Sequence, residues 1–279
     1  MRFHSQWIAG VFVLATKGKF VTASQSLDAA RERLRPYVEA ATGFTGWGFS
    51  RYGNARFLGP RQPWNYDRRV RELFTSAKSV LDIGTGGGER LSRYVRDYRG
   101  RGVATEAWHI NAPIAASRLK PLGVEVLYCD DEVLPLASGS FDLIINRHAA
   151  LEPADIGRIL GPGGMFLTEQ ISNAHWGELQ AFFPRTTAGK GENYFSYLVG
   201  LRAVGLEITD AREYAVLAAY EDMGNFVYML CVTPWTIPDF DPLGDDLEAL
   251  LELERTLSTP DGVVLTQGHS LIEAKKPSL

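Results

Sequence analysis

The stretch VLDIGTGGGERL, residues 80–91, sets four glycines and two acids where a strand-like apolar run gives way to a helix-like run. Glycine in such a place costs backbone entropy, so either something approaches the backbone closely or the chain turns where a Cβ would clash. Strand, glycine turn and helix in that order place a ligand at a helix N-terminus on the carboxyl edge of a sheet. A dinucleotide fold asks for G-x-G-x-x-G. Here the sixth position is Glu89, a carboxylate where a pyrophosphate would sit. The spelling is instead Asp82-Ile83-Gly84-Thr85-Gly86-Gly87-Gly88, a G-x-G-x-G turn with an acid two residues ahead of it.

Further candidates follow at regular intervals. The run VATE ends in Glu106, 22 residues beyond Gly84, where a carboxylate accepts hydrogen bonds from both hydroxyls of a ribose. The next run leads into CDDEVLPLASGSFDLI, which carries Asp130 and Asp131, and FDLIIN ends at Asn146-Arg147-His148. His148 is the best-placed candidate base, because an imidazole titrates near neutral pH. The alternative is a structural histidine that caps a helix or anchors a loop. Glu169, Gln170, His175 and Trp176, with Trp64, Asn65 and Tyr66 upstream, are secondary candidates for lining a pocket or for packing.

The acid-glycine turn resembles motif I of the class I S-adenosylmethionine-dependent methyltransferases. Glu106, the CDDEVLPLASGSFD stretch and the turn in RILGPGGMFLTEQ, residues 158–170, are similar to the later motifs of that family, in the same order over residues 66–232. The resemblance implies S-adenosyl-L-methionine as methyl donor and no metal. Asp82, Gly84, Thr85, Gly86 and Gly88 would close around its methionine part, an acid suiting the ammonium group. Glu106 would hold the ribose, Asp130 the adenine amino group and the Asp131 backbone the ring. Asn146 and His148 would stand beside the transferable methyl. In such a reaction the enzyme mostly supplies alignment, and a hydroxyl or protonated amine acceptor also needs a base within reach.

The elements that must position these residues alternate. Runs 79–83, 102–106, 124–130, 141–146, 165–171, 206–214 and 225–232 read as strands, with helical patterns at 66–77, 89–98, 111–121, 153–160 and 192–204. Alternation of this kind predicts a doubly wound α/β fold, here a mostly parallel, seven-stranded Rossmann-like sheet. Residues 1–65 form an N-terminal extension with one amphipathic helix over 24–41. Its glycine- and aromatic-rich stretch, 43–64, is either a packed loop or a lid. Residues 66–235 form the core. Residues 236–279 add a leucine-marked helix and, in SLIEAK, an edge strand.

Composition narrows the function classes. The formal net charge of −4 argues against a broad electrostatic grip on nucleic acid, and the arginines at 90, 93 and 96 read as a solvated helix face. Two cysteines, Cys129 and Cys231, are too few for a disulfide framework or a cysteine zinc site. The apolar run from Trp7 to Ala15 is shorter than the roughly 20 residues of a membrane span. The expectation is a cytoplasmic methyltransferase acting on a small-molecule acceptor, with no membrane partner. The alternatives are an RNA or other nucleic-acid methyltransferase, or a non-catalytic protein that binds the cofactor. NRHA after the fourth core strand is not the N-P-P-Y type of tetrapeptide found in amino-methylating nucleic-acid enzymes.

Overall fold

The computed structural model describes residues 23–46, 52–129, 133–190 and 194–278. The central strands are β2 (Ser79–Ile83), β3 (Arg101–Glu106), β4 (Val124–Tyr128), β5 (Phe141–Arg147) and β6 (Leu160–Ile171), all parallel. Two strands of 14 residues each, β7 (Glu207–Tyr220) and β9 (Gly262–Lys275), extend the sheet antiparallel. Short strands β1 (Arg56–Phe57) and β8 (Ser258–Thr259) pair with β7 and β9. The order is β1-β7-β9-β6-β5-β2-β3-β4, nine strands with β8 off the path. Strand order therefore reverses between β2 and β5, where a doubly wound sheet opens a crevice at its carboxyl edge.

Short apolar strands buried on both faces are what a parallel sheet requires. Leu81 and Ile144 are wholly buried, and each such side chain contributes roughly 1.5–3 kcal/mol of burial. One face is covered by α2 (Tyr66–Phe74), α3 (Leu91–Tyr94) and α4 (Asn111–Leu119), through Val70, Leu73, Leu91 and Leu119. The other carries α5 (Pro153–Ile159) and α6 (Tyr194–Ala203), through Ile156, Ile159 and Leu201. A third cluster joins α1 (Ala23–Thr42), α7 (Met223–Val232) and α8 (Leu247–Leu257) to the far ends of β7 and β9. Arg33 makes a two-pronged pair with Glu254, and Tyr37 donates to Asp222 at 3.0 Å, so the N-terminal helix is tied to both later ones.

Three expectations change. Residues 225–232 are not a strand but most of α7. Asp222 Oδ1 accepts from Asn225 N–H at 2.8 Å and starts a helix. Its apolar surface is buried nearly all round, and a run of this length does not separate strand from buried helix. SLIEAK is not an edge strand. It is the last part of β9, which lies between β6 and β7 and brings the described sheet to nine strands rather than seven. The helix expected over 89–98 contracts to the four residues of α3. Cys129 and Cys231 are half-buried and form no disulfide, and no helix among the described residues is long and apolar enough to cross a membrane.

Candidate functional site

The glycine turn leaves β2 at the crevice. Asp82 pairs in register with Ala104 of β3, and Ile83 with Asn146 of β5. Thr85 N–H donates to Thr105 O at 2.9 Å, Gly84 N–H to Thr105 Oγ1 at 3.3 Å, and Gly88 N–H closes the turn on Thr85 O at 3.1 Å. Gly84 and Gly86 take φ of +68° and +62°, the left-handed region that side chains disfavour. A Cβ on Gly84 would also stand 2.2 Å from Ala149 Cβ, so the segment after β5 lies directly against the turn.

Glu106, at the end of β3, is buried beside this turn. Its Oε2 accepts from Gly86 N–H at 2.6 Å and its Oε1 from Trp108 N–H at 2.9 Å. Asp82 is buried too. Burial first, then the neighbouring Glu106 carboxylate, pushes its carboxyl up to about 7. Glu89 is neutralised by Arg118 at 2.8 Å. Thr85 Oγ1 and Asn111 Nδ2 are buried without a hydrogen-bond partner. Asn111 Oδ1 accepts from Gly46 N–H at 2.9 Å, which brings the end of the 43–46 segment onto the same edge. Two close acids with an orphaned hydroxyl and amide beside them suit a ligand that carries positive charge and hydrogen-bonding groups. S-adenosylmethionine, with its sulfonium, ammonium and ribose, fits that set; a pyrophosphate does not. Asp130 and Asp131 lie outside the described residues.

The strands beyond the turn build a second cluster. Asn146 is fully buried: its Oδ1 accepts from Thr168 Oγ1 at 2.9 Å and from Gln170 Nε2, and its Nδ2 donates to Ile83 O and Ala150 O. Its side chain thus ties β5 to β6 and to the end of β2. His148 has φ of +60°, uncommon for a residue other than glycine. Its N–H donates to Glu169 O at 2.9 Å, and Gln170 Nε2 holds Ala149 O at 3.0 Å, so neighbouring strands pin this conformation.

Glu169, on β6, is 1% exposed and carries four neighbours. Arg147 Nε donates to its Oε1 at 2.8 Å, Trp64 Nε1 and Gln62 Nε2 donate to its Oε2 at 2.7 and 3.1 Å, and His148 Nε2 lies 3.5 Å from Oε1. Those donors outweigh burial and keep the carboxylate well below its usual range. The His148 ring centroid is 5.4 Å from that of His269 on β9, which is 5.7 Å from that of His175. Partial burial, with 28% of the side chain exposed, then Arg147, lowers His148 towards about 4, and burial, then His269, lowers His175 to about 3. His269 is lowered for the same first reason. All three imidazoles are neutral at pH 7.

His148, Glu169, Gln170, His175 and Trp64 were each expected near a site from the sequence, whereas Gln62 and His269 were not. Nothing local marks His269; it reaches the site only because β9 runs beside β6, where it pairs with Ile171. Among the described residues no cluster of histidine, cysteine or acidic side chains has the arrangement to hold a metal ion.

Residues 81–168 match the family described as methyltransferase domain. The match runs from β2 through most of β6 and so spans the glycine turn and the carboxyl edge of the crevice. No curated protein matches it. The fold is similar to that of the 4+2 cyclase SpnF, at 20% identity over 92% of this chain and 97% of that one, with a TM-score of 0.54. A candidate methyltransferase from Bacillus halodurans is similar at 17% identity over 76% and 99%, TM-score 0.56. A candidate sarcosine dimethylglycine methyltransferase from Galdieria sulphuraria is similar at 13% identity over 88% and 98%, TM-score 0.51.

Proposed function

We propose that this protein transfers the methyl group of S-adenosylmethionine to a small-molecule acceptor. The observation that carries the reading is the pair of buried acids, Asp82 and Glu106, joined through the left-handed Gly84–Gly86 turn. In this reading Asp82, Gly84, Thr85, Gly86 and Gly88 surround the methionine part and Glu106 takes the ribose hydroxyls. Asp130 and Asp131 would face the adenine. Bound donor would supply an activated methyl group at the crevice. The chain's own work is to align it, to exclude water and to receive a proton at His148. Asn146 acts by holding the His148 segment against the turn.

The net charge of −4 supports a small acceptor over a nucleic acid. A fold shared with a cyclase does not by itself assign the reaction. The test is therefore direct: incubation with methyl-labelled S-adenosylmethionine and fractionated small-molecule extract, with RNA in parallel. Label in a small-molecule fraction supports the reading. Salt-sensitive label in RNA supports the nucleic-acid alternative, and donor binding without transfer to either supports a non-catalytic protein.

A further inference from the structure

The second cluster says more about the acceptor than the donor half does, given the methyltransferase reading above. Its two full charges cancel, since Arg147 and Glu169 are paired at 2.8 Å. The groups facing His148 are Arg147 from β5, Glu169 from β6, His269 from β9 and, one ring further, His175 from the loop after β6. None offers a free charge. A protonated amine would look for a carboxylate, and the Glu169 oxygens already accept from Arg147, Trp64 and Gln62. A carboxylate acceptor would look for a cation, and Arg147 is committed to Glu169. What remains is neutral imidazole, which serves a neutral acceptor that must lose a proton.

The orientation of His148 selects the atom. Its Nε2 faces the buried Glu169 oxygen at 3.5 Å, and a carboxylate facing a ring nitrogen holds the proton there and leaves the other nitrogen as acceptor. Glu169 is held in turn at Oε2 by Trp64 and Gln62, from the segment that precedes α2, so its two oxygens are aimed by separate parts of the chain. The left-handed backbone of His148, pinned through Glu169 O and Gln170, fixes the direction of the ring's attachment.

We infer that Glu169 is a positioning residue that keeps His148 protonated on Nε2, so that Nδ1 receives the proton of a hydroxyl acceptor such as a phenol or enol. The acceptor oxygen takes the methyl carbon as the donor's carbon–sulfur bond breaks, leaving a neutral thioether. The hydroxyl proton ends on Nδ1 and passes to solvent. An acidic hydroxyl is favoured over an aliphatic alcohol, because an imidazole lowered to about 4 is a weak base.

The first readout needs no turnover. Nitrogen-15 NMR of the imidazoles in the intact protein at pH 7 is expected to show His148 as the Nε2–H tautomer. Glu169→Gln should lower its pKa further, since the carboxylate is what raises it, and should mix the tautomers. Should Glu169→Gln fail to fold, Trp64→Phe removes one of the Glu169 anchors but keeps the charge, and should mix the tautomers in part. An Nδ1–H tautomer in the parent, or an unchanged spectrum in the folded variants, overturns the positioning role. The second readout offers phenols, enols, alcohols, thiols, amines and carboxylic acids with labelled donor, and calorimetry on the same sample records donor binding. Label on a phenol or enol oxygen is the expected result. Donor binding with label only on nitrogen, sulfur or a carboxylate, or with none, overturns the hydroxyl assignment alone. Absence of donor binding removes the methyltransferase reading itself.

Discussion

The two halves of the crevice are built on opposite electrostatic principles. At the glycine turn, Asp82 and Glu106 are buried near one another, and burial first, then the Glu106 carboxylate, pushes the Asp82 carboxyl up to about 7. Across β5, Arg147 and Glu169 cancel, and a chain of three neutral imidazoles, His148, His269 and His175, leads away from them. The first half is thus incomplete without a cation, whereas the second is complete without any charged guest. The turn therefore suits a group that brings positive charge, and the cluster beyond it suits a neutral one.

The strongest way to break this comparison is to fill the turn. Gly86→Leu places a bulky side chain at a φ of +62° and should abolish binding of S-adenosylmethionine in calorimetry, while circular dichroism stays near the parent's. Unchanged affinity would detach the turn from the ligand.

Removing the base comes next. His148→Ala should reduce turnover by about 10²–10⁴-fold at saturating donor, with donor affinity hardly altered. His148→Asn is the cleaner variant, because asparagine tolerates the left-handed backbone found there. Under saturation the parent's rate should hold down to mildly acidic pH and fall as pH drops through about 4, where the imidazole takes a proton. A limb near 6.5, the ordinary histidine value, would mean that water at the exposed 28% of the side chain offsets the desolvation of the rest. Turnover kept in both variants would make His148 a loop anchor.

Glu106→Ala should weaken donor binding by about 1.5–3 kcal/mol, the value of a charge-assisted contact, or roughly tenfold to a hundredfold. Glu106→Gln should lose less, because an amide oxygen still accepts one hydrogen bond. Parent-like affinity in both would separate Glu106 from the ribose.

The smallest effect belongs to Asp82 and sharpens the contrast through pH. Its carboxyl is raised above the unfolded value, so the stability it contributes to the free protein is full below about 4 and is lost as pH rises through about 7. A cationic ligand prefers the ionised form. Donor affinity should therefore weaken as pH falls below 7, by at most about tenfold per unit, with protons released on binding at pH 6. Asp82→Asn should flatten both trends. Affinity independent of pH in the parent would show that no ligand cation meets Asp82.

The glycine-turn half was legible because its residues are local. One turn carries Asp82 and the glycines, and Glu106 sits at the end of the next parallel strand, a spacing that strand length dictates. The second cluster was not, because its members come from residues 62–64, 147–148, 169, 175 and 269, and no local pattern announces their meeting. His269 depends on β9 returning antiparallel into the sheet, and that strand was expected at an edge. The run 225–232 misled for a related reason: a segment buried on every side loses the periodicity that tells helix from strand. Asn146 was expected at the ligand, while the structure gives its side chain to Thr168, Gln170, Ile83 and Ala150.

The claim that the crevice takes a methyl donor at the turn is tested most directly by titrating the protein with S-adenosylmethionine at pH 8, with Gly86→Leu as the control. The account predicts one-to-one binding in the parent and none in the variant. No binding in the parent, or equal binding in both, would contradict it.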